Sequence, residues 1–199
     1  TGAELLITHH PIIWDPLTNV LPASPVYVLI RSAMSVICAH TNWDDAFGGV
    51  ADTLCDILGI YDVGTVVPCL RAGKTDECDA RALAQHVSDV LKAPVKAAFT
   101  DQKKCSKVAV CPGGGASLIP DALAAGADVF ITGDAKHNDF IDAVANGISL
   151  IAAGHFETED PAAKVLCDRL SKQFPQTKFT FISNAPAIFF SPENYEEKM

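Results

Sequence analysis

The sequence predicts an α/β protein, on three observations. Short apolar runs suited to strands alternate with segments whose apolar residues recur at helical spacing. The stretches between them are short, as in α/β folds. Residues that carry chemistry collect just after the strand-like runs, beyond the carboxyl ends of the strands, where open α/β sheets bind ligands.

A first strand over about 4–8, centred on Leu5-Leu6-Ile7, is ended by His9-His10-Pro11, since proline cannot continue a ladder. Pro11 to Pro22 is rich in turn residues, and Trp14-Asp15-Pro16 reads as a loop over the strand end. Ser24-Pro25 supplies an N-cap and a first-turn proline for a helix over 25–34. Ser35-Val36-Ile37-Cys38-Ala39 is continuously apolar apart from its first residue, which predicts a strand buried on both faces. A turn at 40–44 leads to a helix carrying Phe47, Val50, Ala51, Leu54, Ile57 and Leu58 and closed by Gly59.

Residues 61–75 contain Gly64, Pro68 and Gly73 with only a short strand at Val66-Val67, so subdomain junctions are placed near 62–75 and near 126–128. Beyond them the pattern predicts a helix over 76–92, a weak strand at 95–99 and a buried strand at 107–111. The turn Gly113-Gly114-Gly115 leads into a helix over 117–125. Then come strand 129–132, helix 138–146, strand 148–153, helix 160–173 and an alternating strand at 178–183, with a polar tail from Pro192.

At 199 residues and 49% hydrophobic composition the chain can fill one sizeable core or two small interlocked ones. A formal charge of −9 and a sequence pI near 5.0 disfavour nucleic-acid and anionic-membrane surfaces, which need cationic patches. No apolar run reaches the ~20 residues of a membrane span. Seven cysteines, odd in number and without a C-x-x-C pair, fit a reducing, cytoplasmic setting better than a disulfide framework. Thr1-Gly2-Ala3-Glu4 runs straight into a strand, so a further N-terminal segment is expected before it.

Four strand ends carry His9-His10, His40 with Asp44, Asp134 with His137, and His155 with Glu157 and Glu159. Imidazoles mixed with carboxylates suit zinc, manganese, iron or similar divalent ions, whereas calcium prefers oxygen alone. Neighbouring strand residues face opposite ways, so His9 and His10 would serve different ions, ~3.5–4 Å apart in a two-metal site with a bridging acid.

On these residues the sequence resembles the Nif-three-like family, known in part as GTP cyclohydrolase type 2 homologues. The matching motifs, in order, are Thr8-His9-His10-Pro11, His40-Thr41-Asn42-Trp43-Asp44 with Gly48-Gly49-Val50, Thr132-Gly133-Asp134-Ala135-Lys136-His137, and Gly154-His155-Phe156-Glu157-Thr158-Glu159. The resemblance implies mixed sheets flanked by helices in two interlocked α/β subdomains, with 1–199 as one such unit. It implies two divalent metal ions held by His9, His10, Asp44, His155 and Glu159, with Glu159 bridging, and a ring-shaped homo-oligomer, commonly a hexamer. No large inserted domain separates the halves, so the chain resembles a short form.

Plainer roles stand beside these. Asp44 can cap a helix beginning near Asp45. Asp160-Pro161 places the last helix start near itself, which puts His155 and Glu159 on a loop entering that helix. Glu157 fits an exposed acid, and the Gly113–Ser117 turn fits a tight strand-to-helix connection better than a phosphate cradle, because it lacks the P-loop lysine. The functional expectation is a metal-dependent hydrolase for a small anionic or nucleotide-like molecule, with His137 or Asp134 moving protons. The alternative is a non-catalytic metal-binding ring that binds a partner or ligand.

Overall fold

The computed structural model describes residues 2–102 and 104–183, which form two sheets. Strands β1 (Leu5–Thr8) and β2 (Ser35–Cys38) pair in parallel, from Leu5 opposite Ser35 to Thr8 opposite Cys38, with helix α1 (Pro25–Arg31) as the crossover. The Ser24 side chain caps α1 by accepting the Tyr27 N–H. All four residues of β2 are exposed, Ile37 at 52%, where the sequence predicted burial on both faces. The apolar run exceeds what this sheet covers, because α1 itself buries no residue.

The second sheet holds six strands in the order β3-β4-β6-β7-β8-β5. Parallel strands β6 (Cys105–Cys111), β7 (Val129–Thr132) and β8 (Ser149–Ala152) lie together in it. An antiparallel β5 (Lys96–Ala98) closes one edge, and the hairpin β3 (Tyr61–Val67) and β4 (Leu70–Cys78) forms the other. Alternation along the strands divides the core between the faces. Val108, Val110, Val129 and Ile131 pack with Leu54 of α3 (Val50–Ile57), with Leu58 just past its end, and with Leu83 and Val87 of α4 (Ala80–Leu91). Ala109, Cys111, Phe130 and Leu150 pack with Ile119 and Ala122 of α5 (Ile119–Ala124) and Ala143 of α6 (His137–Ala145). Burial on both faces is what makes β6, β7 and β8 read as near-continuous apolar runs. Among the described residues no helix is long and apolar enough to cross a membrane.

Four elements differ from the sequence reading. Residues 61–78 form a full hairpin in place of a short strand at 66–67, turning at Pro68-Cys69 with φ +65° at Cys69, the pattern of a proline-led type II turn. The expected junction residues 62–75 therefore lie within a sheet, and 126–128 lie between α5 and β7. The helix expected from about 45 is two pieces, α2 (Thr41–Asp44) and α3, so Asp44 ends a helix rather than capping one. Helix α7 (His155–Gln173) starts five residues before the expected 160 and carries Pro161 inside it. The alternating stretch 178–183 is not a strand, since alternation sets a face but supplies no ladder partner, and no strand edge pairs with it. The tail from Pro192 lies outside the described residues.

Asp128 ties the start of β6 to β7. Its carboxylate accepts the N–H groups of Ser106 and Lys107, each at 2.9 Å, and the Gln102 side-chain amide at 3.0 Å. Burial pushes its pKa up, but these donors outweigh burial and hold it below the ordinary carboxylate value. Its contribution is therefore present above the unfolded pKa of about 3.9 and lost as pH falls through the lower folded value. Asp128→Ala is expected to cost about 1–2 kcal/mol near neutral pH, with the gap from wild type narrowing below about pH 4. Denaturant melts at both pH values measure this, and a gap that does not change with pH would contradict the role of the charge.

Candidate metal centre

The parallel strands of the large sheet end together. The Gly113 carbonyl, just after β6, accepts the N–H groups of Gly133 and Asp134, just after β7, each at 2.9 Å; the Gly133 carbonyl accepts the Gly154 N–H, after β8, at 3.0 Å. This stitching delivers Asp134 and the first turn of α7 to one place. Because α7 begins at His155, His155 and Glu159 lie four apart on one helix face and their side chains meet, His155 Nε2 to Glu159 Oε1 at 3.1 Å. Gly154 permits this early start with φ +92°, and Glu157 folds back over it.

The small sheet delivers the other half. Past the end of β1 the chain bends, and both His9 and His10 reach Glu159 instead of pointing to opposite faces. His10 Nε2 lies 3.1 Å from Glu159 Oε2, while His9 Nε2 lies 3.6 Å from Glu159 Oε1 and 3.4 Å from Asp44 Oδ1. Each oxygen of Glu159 thus faces a different histidine of the pair. Asp44 is buried at the end of α2. Its neighbour Asp45 accepts the Cys69 N–H and an Arg71 guanidinium N–H, and Arg71 also binds Asp52, which ties α2 and α3 to the hairpin.

Two ring nitrogens are oriented from behind. His9 Nδ1 lies 2.9 Å from the Ala39 carbonyl, so it donates there and leaves the lone pair on Nε2. His155 Nδ1 pairs with Asp134 Oδ2 at 2.8 Å, which turns its Nε2 towards Glu159. His9 Nε2 and Asp44 Oδ1 are nevertheless buried with no hydrogen-bond partner among the described residues. Orphaned buried lone pairs facing each other are costly unless something electropositive sits between them, so the donor set fits a cation.

The imidazoles and carboxylates of the cluster pair among themselves. Ion pairing with Glu159, helped by Asp134 and opposed by burial, lifts His155 to about 9. Burial pushes Glu159 up, but His155 and His9 outweigh it and hold the carboxyl at about 2. Burial raises Asp44 and lowers His10. The carboxylate that touches three imidazoles is thus a stable anion.

All five expected ligands converge. Three neighbours that the sequence reading placed near strand ends or in a turn, without a role at the centre, join them. The His40 ring stands 5.1 Å from His9 and 5.4 Å from His10, and one nitrogen from each of the three lies within 4.8 Å of the others. Trp14 stands 5.9 Å from His10. Gly113 is the third, held by Thr158 through its N–H and by Thr132 through its carbonyl. The glycine run is a strand-to-helix turn, and it walls the centre. His137, exposed at the start of α6, lines an open hollow of about 790 Å³ with Lys96, Phe99, Phe140 and Ile141 and makes no hydrogen bond to the cluster.

Gly113 has φ +61°, and a Cβ on it would lie 2.2 Å from Glu159 Oε1. Gly113→Ala is therefore expected to push Glu159 off His155, beyond the ~1–2 kcal/mol of left-handed backbone strain. The readout is the His155 pKa followed by NMR in metal-free protein. It falls from about 9 if Glu159 is displaced and stays there if it is not.

A parallel-centred sheet covered on both faces, with a histidine–carboxylate cluster beyond its strand ends, defines an α/β protein with a candidate metal centre. Comparison with known proteins is more specific. The chain belongs to the Duf34/NIF3 (NGG1p interacting factor 3) family, whose profile matches residues 1–187. A Nostoc sp. protein named GTP cyclohydrolase 1 type 2 homolog is 34% identical, the match covering 84% of this chain and 68% of the relative. A Clostridium perfringens protein of the same name is 28% identical, over 86% of this chain and 71% of that protein. Among solved structures, protein ybgI, described as of unknown function, matches with TM-score 0.85 at 28% identity, covering 94% of this chain and 78% of its own. A Bacillus cereus protein related to NIF3 shares the fold with TM-score 0.84 at 18% identity, covering 95% and 84%.

Proposed function

We propose that this chain is a hydrolase working through two divalent ions on a small anionic or nucleotide-like substrate. The observation that carries the reading is Glu159, one oxygen turned to His9 and His155 and the other to His10, beside the orphaned His9 Nε2 and Asp44 Oδ1. His9, Asp44 and Glu159 would hold one ion, and His10, His155 and Glu159 the other. Ions of this kind supply Lewis acidity and lower the pKa of a bound water from ~15.7 towards ~7. The chain's own part is orientation: Ala39 and Asp134 fix the two imidazoles from behind, and the Gly113 turn presses against Glu159.

His10 and His155 are 47% and 39% exposed while His9, Asp44 and Glu159 lie between 11% and 13%, so substrate would approach over His10 and His155. Asp134, 64% exposed on that side, is placed to hold the His155 proton and exchange it with solvent. His137 is proposed for proton exchange by its place in the sequence motif alone. The name shared by several relatives makes GTP the first substrate to assay. Turnover of a nucleotide panel is expected to vanish with chelator and in the His9→Ala/His10→Ala variant. Activity that survives both would overturn the reading.

A second reading, a non-catalytic metal-binding homo-oligomer such as a hexameric ring, is favoured by one observation. Ile13, Leu17 and Leu21 of the loop, Val28 and Ile30 of α1 and Ile37 of β2 are exposed apolar side chains that a second copy could cover. It predicts bound metal and assembly without turnover in the same assays.

A further inference from the structure

We propose that Trp14 is a stacking platform at the mouth of the centre, and that the substrate carries a planar heteroaromatic ring, such as a purine, laid against it. This rests on the reading of the centre as a substrate site and names the part of the substrate that no ligand there would hold.

A singly exposed apolar side chain needs no explanation by itself. What separates Trp14 from Phe47 or Ile30 is its place. Its indole is 65% exposed, yet it stands 5.2 Å from the His40 ring at an interplanar angle of 89° and 5.9 Å from His10. The two imidazoles set its orientation and leave most of its surface open. Trp43 makes the contrast. It is half-buried, packs edge-on to His9 at 5.4 Å, and serves as structure.

Distance links the platform to the chemistry. His10 touches Trp14 through its ring and Glu159 Oε2 through Nε2 at 3.1 Å, so a ring on Trp14 lies one imidazole away from the carboxylate. Charge divides the labour. The centre is acidic, with Asp134 at its mouth and Asp44 and Glu159 beneath, in a chain of net charge −9, and offers an anion little without bound cations. An uncharged aromatic ring meets no such penalty, and base–aromatic stacking tolerates any nucleobase because each has a π face. His40, which the resemblance leaves without a role, here buttresses the indole.

The test is binding to the full chain loaded with metal, whose content is measured by elemental analysis for each variant. Titration calorimetry compares guanosine, GTP and ribose 5-phosphate on wild type, Trp14→Ala and Trp14→Phe. Trp14→Ala is expected to weaken guanosine and GTP about tenfold while ribose 5-phosphate is unchanged, and Trp14→Phe to restore most of the loss. An equal loss for all three ligands, unchanged guanosine affinity, or a wild type that binds neither guanine compound overturns the platform. A wild type that hydrolyses a non-aromatic anion leaves the hydrolase standing without the platform. Trp14-dependent guanosine binding without any turnover does the reverse.

Discussion

Glu159→Gln is expected to strip metal from the protein and abolish turnover. Both oxygens of Glu159 are engaged, Oε1 towards His9 and His155 and Oε2 towards His10. Glutamine keeps the shape but offers a single acceptor, and its amide nitrogen would face an imidazole lone pair. Loss of a group that only orients a ligand from behind typically lowers affinity ~10–100-fold, so removing the bridging group should exceed roughly 100-fold. Metal per chain, by elemental analysis after dialysis, is the readout, with Glu157→Gln as the neighbour expected to retain it. The metal-free protein gives an independent check. Glu159 is the largest influence raising His155, so in the variant that pKa drops from about 9. A glutamine variant with wild-type metal content would remove the basis for a bridged centre.

The largest effect on stability is expected from Arg71→Leu. Arg71 is 3% exposed and uses its whole guanidinium: Nε to Asp52 at 2.5 Å, Nη1 to the Asp45 carboxylate at 3.0 Å and Nη2 to the Asp45 carbonyl at 2.7 Å. Removing one side of a buried pair strands the other, at about 3–5 kcal/mol; partly exposed Asp45 relaxes into water and places this case near the lower end, about 3 kcal/mol. At ~2–4 °C per kcal/mol for a chain of this size, Tm falls by roughly 6–12 °C. Arg71→Lys recovers little, because an ammonium cannot span three acceptors in a plane. Adding Asp52→Leu to Arg71→Leu should recover part of the loss, since the stranded charge goes too. A fall of less than ~2 °C would mean that the network contributes little.

Much of the centre was legible because its residues follow strands whose apolar runs are unmistakable. Val129–Thr132 and Ser149–Ala152 leave no doubt where Asp134 and His155 fall. The fold was less legible where polar or proline residues carry regular structure. Arg71, Lys74, Asp76 and Glu77 hide β4, because the Arg71 charge is neutralised by Asp45 and Asp52, residues supplied by other elements. Pro161 hid the true start of α7, and with it the helical pairing of His155 with Glu159. Pleating put His9 and His10 on opposite faces, but the ladder ends at Thr8, and the bend beyond it frees both side chains to turn the same way. Gly113 could be read only as a turn. Its contact with Glu159 is tertiary and leaves no local signal.

The provenance of the ligands has a mechanical consequence. His9, His10 and Asp44 hang from the two-stranded sheet and the helix after it, whereas His155 and Glu159 hang from the six-stranded sheet. Strand β2 and helix α1 of the first layer bury no residue, so apart from α2 and its ties to Arg71 this layer gains little from burial. Bound cations would act as a rivet through both layers, and ligand that binds only the assembled form stabilises it in proportion to the logarithm of its concentration. Metal supply would then govern how firmly the outer layer is fastened as well as what the centre can do.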